Sequence, residues 1–229
     1  TPGALHVGDM HTAGALVYAG DNSSVMLAQG ADVSASAQTS IDPLRCLFDV
    51  SVKGGQKLAD DSAALWARAF ERGALFSAAQ LSGLAQNMID MTVAYAGQRT
   101  QFGKPIGSFQ AVKHHLASAQ VAVSFAQPVV YRAAYAVAHG AADMSAAVSH
   151  AKIAAGDAAM TASKAAIQCH GAMGYTFEVD LHLWMKRAWA LIGAWGDRDY
   201  HMKRVADFTL GANAPIGADL TFSAFDNAG

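Results

Sequence analysis

Two segments gather residue types that can hold or transform a ligand. The first is Gln98-Arg99-Thr100-Gln101-Phe102-Gly103-Lys104-Pro105-Ile106-Gly107-Ser108-Phe109-Gln110, set between two long helical stretches. A guanidinium at one helix end, beside the free N–H groups that open the next helix, makes an anion pocket suited to a pyrophosphate. Gln110, in the first turn of that next helix, adds an amide. The alternative is an ordinary αα-turn with an exposed Arg99. Gly97 to Lys104 imitates a phosphate loop, but five residues separate Gly97 from Gly103 and Pro105 stands where Ser or Thr is required. A helix rather than a strand precedes it, so a Walker site is rejected. The second segment is Gln168-Cys169-His170-Gly171-Ala172-Met173-Gly174-Tyr175, a helix exit ended by glycines. Small residues and open carbonyls there let a planar or phosphorylated ligand approach the backbone. A plain glycine C-cap is the alternative.

Other residues that invite chemistry carry less. The histidines at 114, 115, 150, 170, 182 and 201 fall on separate helices without His-Glu-x-x-His spacing, so no metal site is expected. There is no Gly-x-Ser-x-Gly elbow, which leaves a serine hydrolase unsupported. Trp184, Trp189 and Trp195 do not form one helical stripe and read as core or interface aromatics. Lys186, Arg187, Lys203 and Arg204 read as a solvated helix face.

The elements that must position these segments follow from periodicity. Ala15–Ala19 and Ser24–Ala28 flank the turn signal Gly20-Asp21-Asn22, and Cys46, Phe48, Val50 and Val52 alternate with polar residues, so the first part reads as β. From about residue 60 the period becomes helical. Leu81, Leu84, Met88, Met91 and Tyr95 share one face of a helix running to about 97. A second helix starts after Gly107, with Ser108 as its N-cap, a kink at Pro128 and a stop at Gly140. A third runs from Asp143 to His170, with Ala151, Ala155, Ala158, Ala162 and Ala166 allowing close helix approach, and a fourth covers Leu181 to Leu210. The expected fold is mainly α: an antiparallel four-helix bundle over 57–211, preceded by the end of a β-domain over 1–56 and followed by an irregular tail over 212–229.

Composition sets outer bounds. The 229 residues are 52% hydrophobic and 15% charged, which points to extensive helix burial or an obligate oligomer. A net charge of −2 gives no electrostatic case for nucleic acid. Ser, Gln, Asp and Lys interrupt the apolar runs, so no membrane span is expected. Cys46 and Cys169 match neither a metal spacing nor a disulfide framework, which suits a reducing cytoplasm. The opening Thr1-Pro2 is expected to mark a fragment or remainder of something longer.

Arg99-Thr100-Gln101-Phe102-Gly103-Lys104-Pro105-Ile106, followed by Phe109-Gln110-Ala111, resembles the signature of the acyl-CoA dehydrogenase family between the first two C-terminal bundle helices. Gln168 to Tyr175 resembles the family's second signature. The resemblance covers nearly the whole chain, as the family's C-terminal half. It implies FAD as cofactor and an acyl-CoA substrate, in lipid, fatty acid or steroid degradation. The reaction is desaturation between Cα and Cβ: a Glu takes the α-proton while the β-hydrogen leaves as hydride. Electrons then pass to an electron-transfer flavoprotein. The resemblance assigns FAD contacts to Arg99, Gln101, Phe102, Gln110 and Gln168, with Gly171 and Ala172 in the second turn. Arg99, Phe102, Gln110 and Gln168 are of the kind that reach a neighbouring subunit's FAD. Ala172 departs from the family's Gly-Gly.

The catalytic base is where the pattern fails. The family's Glu-Gly-Thr run falls on Trp195-Gly196-Asp197, and an indole accepts no proton. Asp197 and Asp199 stand where Thr and Gln touch the subunit's own FAD. The other position used by relatives, on the first bundle helix, is Gly73, with Ala74 in place of a substrate-supporting Arg. Glu71 is nearby but about 200° around the helix. The chain thus resembles the non-catalytic subunit of heteromeric actinobacterial acyl-CoA dehydrogenases, in a homo- or heterotetramer. Two other functions stay open: a complete dehydrogenase with its base relocated to Glu71, and a flavin-less scaffold bundle.

Overall fold

The structure is a computed structural model that describes residues 5–211 and 214, so the tail expected over 212–229 lies outside it except for Ala214. The chain divides into two compact units, residues 1–70 and 71–229.

The first unit is β-rich. Strands β1 (Leu5–Gly8), β2 (Leu16–Ala19), β3 (Val25–Ala28), β4 (Val33–Gln38), β5 (Leu47–Val52) and β6 (Gln56–Ala59) form two antiparallel three-stranded sheets, ordered β1-β5-β4 and β2-β3-β6. The β2–β3 hairpin pairs Leu16 with Ala28 and Ala19 with Val25. Asn22 and Ser23 take positive φ in its turn, a conformation that Asn tolerates better than most residues. Helix α1 (Ala63–Gln98) starts here, fixed by the Trp66 indole N–H donating to the Ser23 carbonyl at 3.2 Å.

The second unit is the helical bundle. It comprises the rest of α1, then α2 (Gln110–His139), α3 (Met144–His170), α4 (Leu181–Ile192) and α5 (Arg198–Leu210), with a minimal hairpin of β7 (Thr100–Gln101) and β8 (Lys104–Pro105) between α1 and α2. The direction of each helix can be read from its bonds. Glu71 meets Ser145 near the start of α1 and α3, and Tyr95 meets His170 at their far ends, so these two run parallel. Between them α2 returns antiparallel. The alanine column Ala151, Ala155, Ala158, Ala162 and Ala166 is buried along α3, and Ala119, Val123, Ala126 and Ala133 are buried along α2. Side chains this small let helix axes approach closely, so a larger residue here would overpack, at about 1–3 kcal/mol.

Two expectations need correction. Ser108 is not the N-cap of α2: Phe109 occupies that position, and the Ser108 hydroxyl donates instead to the Pro105 carbonyl at 2.7 Å, closing the turn before the helix. The fourth helix is broken into α4 and α5 at residues 193–197. There Trp195 and Gly196 take φ of +57° and +95°, and the Asp197 carboxylate caps α5 by accepting from the Tyr200 N–H at 2.8 Å. The spacing Gly193-x-x-Gly196-Asp197 pairs a helix stop with a new N-cap, which the apolar periodicity alone conceals. By length and composition alone α2 could also cross a membrane, a test that core helices of soluble proteins pass as well. Its Ala/Val face is spent on the bundle core.

Candidate functional site

Helix α1 ends at Gln98, and the next ten residues form a tight knuckle. The Arg99 N–H donates to Tyr95 O at 2.9 Å, while Arg99 O accepts from Ile106 N–H at 2.8 Å. Between these bonds Thr100 pairs with Pro105 and Gln101 with Lys104. Phe102 and Gly103, at the tip, both have positive φ, as a two-residue hairpin loop requires. A Cβ on Gly107 would sit 3.1 Å from Ala96 O, so any larger residue would push the returning chain a few tenths of an ångström off α1. The knuckle therefore has a fixed backbone, yet its chemistry points outward. Arg99, Gln101 and Gln110 are exposed, and Phe102 is 91% exposed, its ring meeting Phe109 only edge-on at 6.2 Å. Phe102 thus presents its ring to solvent from a left-handed backbone.

The second segment lies at the same end of the bundle. Gln168 is exposed on the last turn of α3, and Gly171, at φ +60°, turns the chain into the exposed Ala172. His170 is buried and joins the two segments: its ring stacks on Tyr95 at 4.2 Å, and the Tyr95 hydroxyl donates to His170 O at 3.4 Å. Its Nδ1 bonds Ala166 O at 2.8 Å. Burial pushes the His170 pKa down, partly opposed by that carbonyl. Tyr95 stands four residues before Arg99 and His170 two after Gln168, so this pair fixes the spacing of the two segments. The sequence shows Tyr95 as a seam residue and His170 at a helix end, but not that their rings stack.

The two positions that the resemblance assigns to the family's base, 73 and 195, involve the other end of α1. From Gly73 to Arg99 the helix rises about 40 Å at 1.5 Å per residue. Here the Trp195 indole packs flat on the Cα of Gly73: a Cβ on Gly73 would fall 2.6 Å from Trp195 Cε3, inside the ring's van der Waals surface. Two buried side chains, His201 and Lys152, hold the turn that carries Trp195. His201, fully buried, bonds Trp195 O at 3.0 Å through Nε2 and the Ser149 hydroxyl at 3.1 Å through Nδ1. Lys152, 3% exposed, donates to Leu191 O at 3.0 Å, Ile192 O at 2.7 Å and Gly196 O at 3.4 Å, capping α4 with a full charge. Burial lowers the Lys152 pKa to about 8, with Asp197 acting in the opposite sense.

Glu71, two residues before Gly73 on α1, is 5% exposed. Its Oε1 accepts from the Ser145 hydroxyl at 2.9 Å and from the Arg204 guanidinium in a close ion pair. This ties α1, α3 and α5 together in the bundle interior.

A family model of the acyl-CoA dehydrogenase C-terminal domain matches residues 63–210. The acyl-CoA dehydrogenase IpdE2 of Mycobacterium tuberculosis (strain ATCC 25618 / H37Rv) is 37% identical over 155 residues, which are 68% of this chain and 45% of that protein. The chain thus spans about half the length of that relative. Glutaryl-coenzyme A dehydrogenase, solved as its glutaryl-CoA complex, aligns with a TM-score of 0.82 at 24% identity, over 91% of this chain and 58% of that one. A chain of the ChsE4–ChsE5 complex from Mycobacterium tuberculosis aligns at 0.77 with 23% identity, over 94% and 64%. Identities this low speak for the fold alone. With the family model covering well over half its length, the chain belongs to the acyl-CoA dehydrogenase family.

Proposed function

We propose that this chain is the base-less subunit of a heteromeric acyl-CoA dehydrogenase and completes the FAD site of a partner subunit in trans. The reaction of the whole assembly is α,β-desaturation of an acyl-CoA thioester. The observation that carries the proposal is the Trp195 indole against Gly73, which fills with a ring the place where either family base would stand. An indole and a glycine take up no proton, and the stacked ring leaves no room for an acyl thioester between them.

Distance adds to the argument. Arg99 and Gly73 are about 40 Å apart along one helix, farther than one dinucleotide reaches, so the Arg99 knuckle serves a different active centre. The donor set there fits FAD. Arg99 offers a forked cation for a pyrophosphate, Gln101, Gln110 and Gln168 offer amides, and Phe102 presents an open aromatic face; all five are exposed. The chemistry FAD supplies when bound is acceptance of the hydride from the acyl Cβ. The role of this chain is to bind and orient; proton removal falls to a Glu of the partner. That ChsE4–ChsE5 is itself a complex of two named chains supports a hetero-oligomer; the onward acceptor, as the family resemblance implies, is an electron-transfer flavoprotein.

One observation favours a second reading, in which Glu71 is the base: its Oε2 is buried without a hydrogen-bond partner among the described residues. Against it, Oε1 is bound by both Arg204 and Ser145, which fixes the carboxylate in the bundle interior. Light scattering with flavin absorbance tests the proposal. The expected species is larger than a monomer and holds flavin stoichiometrically only when the partner is present. A stable monomer that retains its flavin contradicts the trans role, and an assembly with no flavin would support a scaffold instead.

A further inference from the structure

The β1–β5 ladder places Val7 opposite Phe48 and Gly8 opposite Leu47. The pairing continues one step further, because the Asp9 N–H donates to Cys46 O at 2.7 Å. Asp9 then turns the chain at φ +55°, and its carbonyl accepts both the Thr12 N–H at 3.0 Å and the Thr12 hydroxyl at 2.9 Å. This tight turn folds His11 back, so that its ring stacks on Phe48 with centroids 5.6 Å apart. Cys46 directly precedes β5 and continues its pairing with the first strand, so at two residues' spacing it falls on the same face as Phe48. The backbone thus delivers three different donors to one spot: the Asp9 carboxylate, the His11 imidazole and the Cys46 thiol have ligand atoms all within 4.8 Å of one another. All three residues are exposed, so an ion can enter from solvent.

We propose that Asp9, His11 and Cys46 form a binding site for a zinc-type divalent cation, with solvent in the fourth position. The donor types select the metal. Calcium and magnesium take oxygen ligands, whereas a mixed thiolate, imidazole and carboxylate set suits borderline-soft Zn²⁺ in tetrahedral geometry. Binding breaks the Cys46 S–H bond, forms a sulfur–metal bond and releases the proton to solvent, with no change of oxidation state. Affinity therefore falls as pH falls. The bound ion would clamp the turn after β1 to the start of β5, closing the chain between residues 9 and 46. The sequence hides the site because Cys46 is far in sequence from Asp9 and His11, and only the strand register brings them together.

The test uses the full chain with Cys169→Ser, a change at a buried free cysteine that leaves Cys46 as the only thiol. Titration with Co²⁺ is expected to give a thiolate-to-cobalt charge-transfer band that saturates at one equivalent and is bleached by Zn²⁺. His11→Ala and Asp9→Asn should each weaken binding by at least about tenfold. As a measurement free of any substitution, Zn²⁺ should slow iodoacetamide alkylation of Cys46 in the unaltered chain, followed by peptide mass spectrometry. The site is refuted by absence of the band at one equivalent, by an alkylation rate indifferent to Zn²⁺, or by a band unchanged in both His11→Ala and Asp9→Asn, which would mean a thiol binding alone.

Discussion

The indole of Trp195 occupies the space that a side chain on Gly73 would need, and these are the two positions that the sequence resemblance assigns to the family's catalytic Glu. The contact joins α1 to the break between α4 and α5, so each residue depends on the other. Gly73→Ala should cost about 1–3 kcal/mol by overpacking. In the background of Trp195→Ala the same change should be close to neutral or stabilising, since alanine is the better helix former. Urea unfolding of the two single variants and the double variant measures the coupling. Additive effects would contradict the packing described here.

Arg204→Met should destabilise the protein by roughly 3–5 kcal/mol, because it strands the Glu71 carboxylate in the bundle interior with Ser145 as its one remaining donor among the described residues. Replacing both partners with apolar residues of similar size should restore much of the loss. Denaturation of Arg204→Met and of the double variant Glu71→Leu/Arg204→Met decides this. If the single variant is as stable as the parent, the pair is not the structural tie described above.

Arg99→Ala should weaken FAD binding by the assembly by about 1.5–3 kcal/mol, the worth of a charge-assisted hydrogen bond, while far-UV circular dichroism stays unchanged. Arg99 is exposed and its backbone bonds do not involve the side chain. The flavin-to-protein ratio after dialysis is the readout, and an unchanged ratio removes Arg99 from the cofactor site.

Two buried cationic groups give the bundle a pH dependence of known sign. The Lys152 pKa falls from 10.5 to about 8, chiefly through burial, so between these values the unfolded chain carries a proton that the folded chain lacks. Stability from this residue is fully present above 10.5 and is lost as pH falls towards about 8. Burial likewise lowers the His201 pKa below 6.5, helped by Lys152 and Arg204 and opposed by the Trp195 carbonyl and Glu71. Its contribution is present above 6.5 and is lost as pH drops below that. The alkaline slope should be absent in Lys152→Met and the acid slope reduced in His201→Gln, by melting temperature across pH. Parallel curves for parent and variants would show that these groups are not held as described.

The legible part of this molecule was the part governed by period and motif. Leu81 and Met88, predicted on one face of the first bundle helix, are fully buried, and the alanine column of α3 is buried throughout. What could not be read arises between elements distant in sequence. Gly73 and Trp195 are each unremarkable alone, and only packing shows that one makes room for the other. The break at 193–197 escaped because the apolar residues on either side continue one pattern, while the carbonyls freed by the break are satisfied by Lys152, on α3. Tyr95 and His170 were visible as a seam residue and a helix-end histidine, but their stack was not.

The central claim is that this chain lacks a base of its own. The measurement that tests it most directly is acyl-CoA oxidation with an artificial electron acceptor, using FAD-reconstituted protein with and without the partner subunit, in the parent and in Glu71→Gln. The account predicts turnover only when the partner is present, with the rate surviving Glu71→Gln. Robust turnover by this chain alone that disappears in Glu71→Gln would contradict it and make Glu71 the base of a complete enzyme.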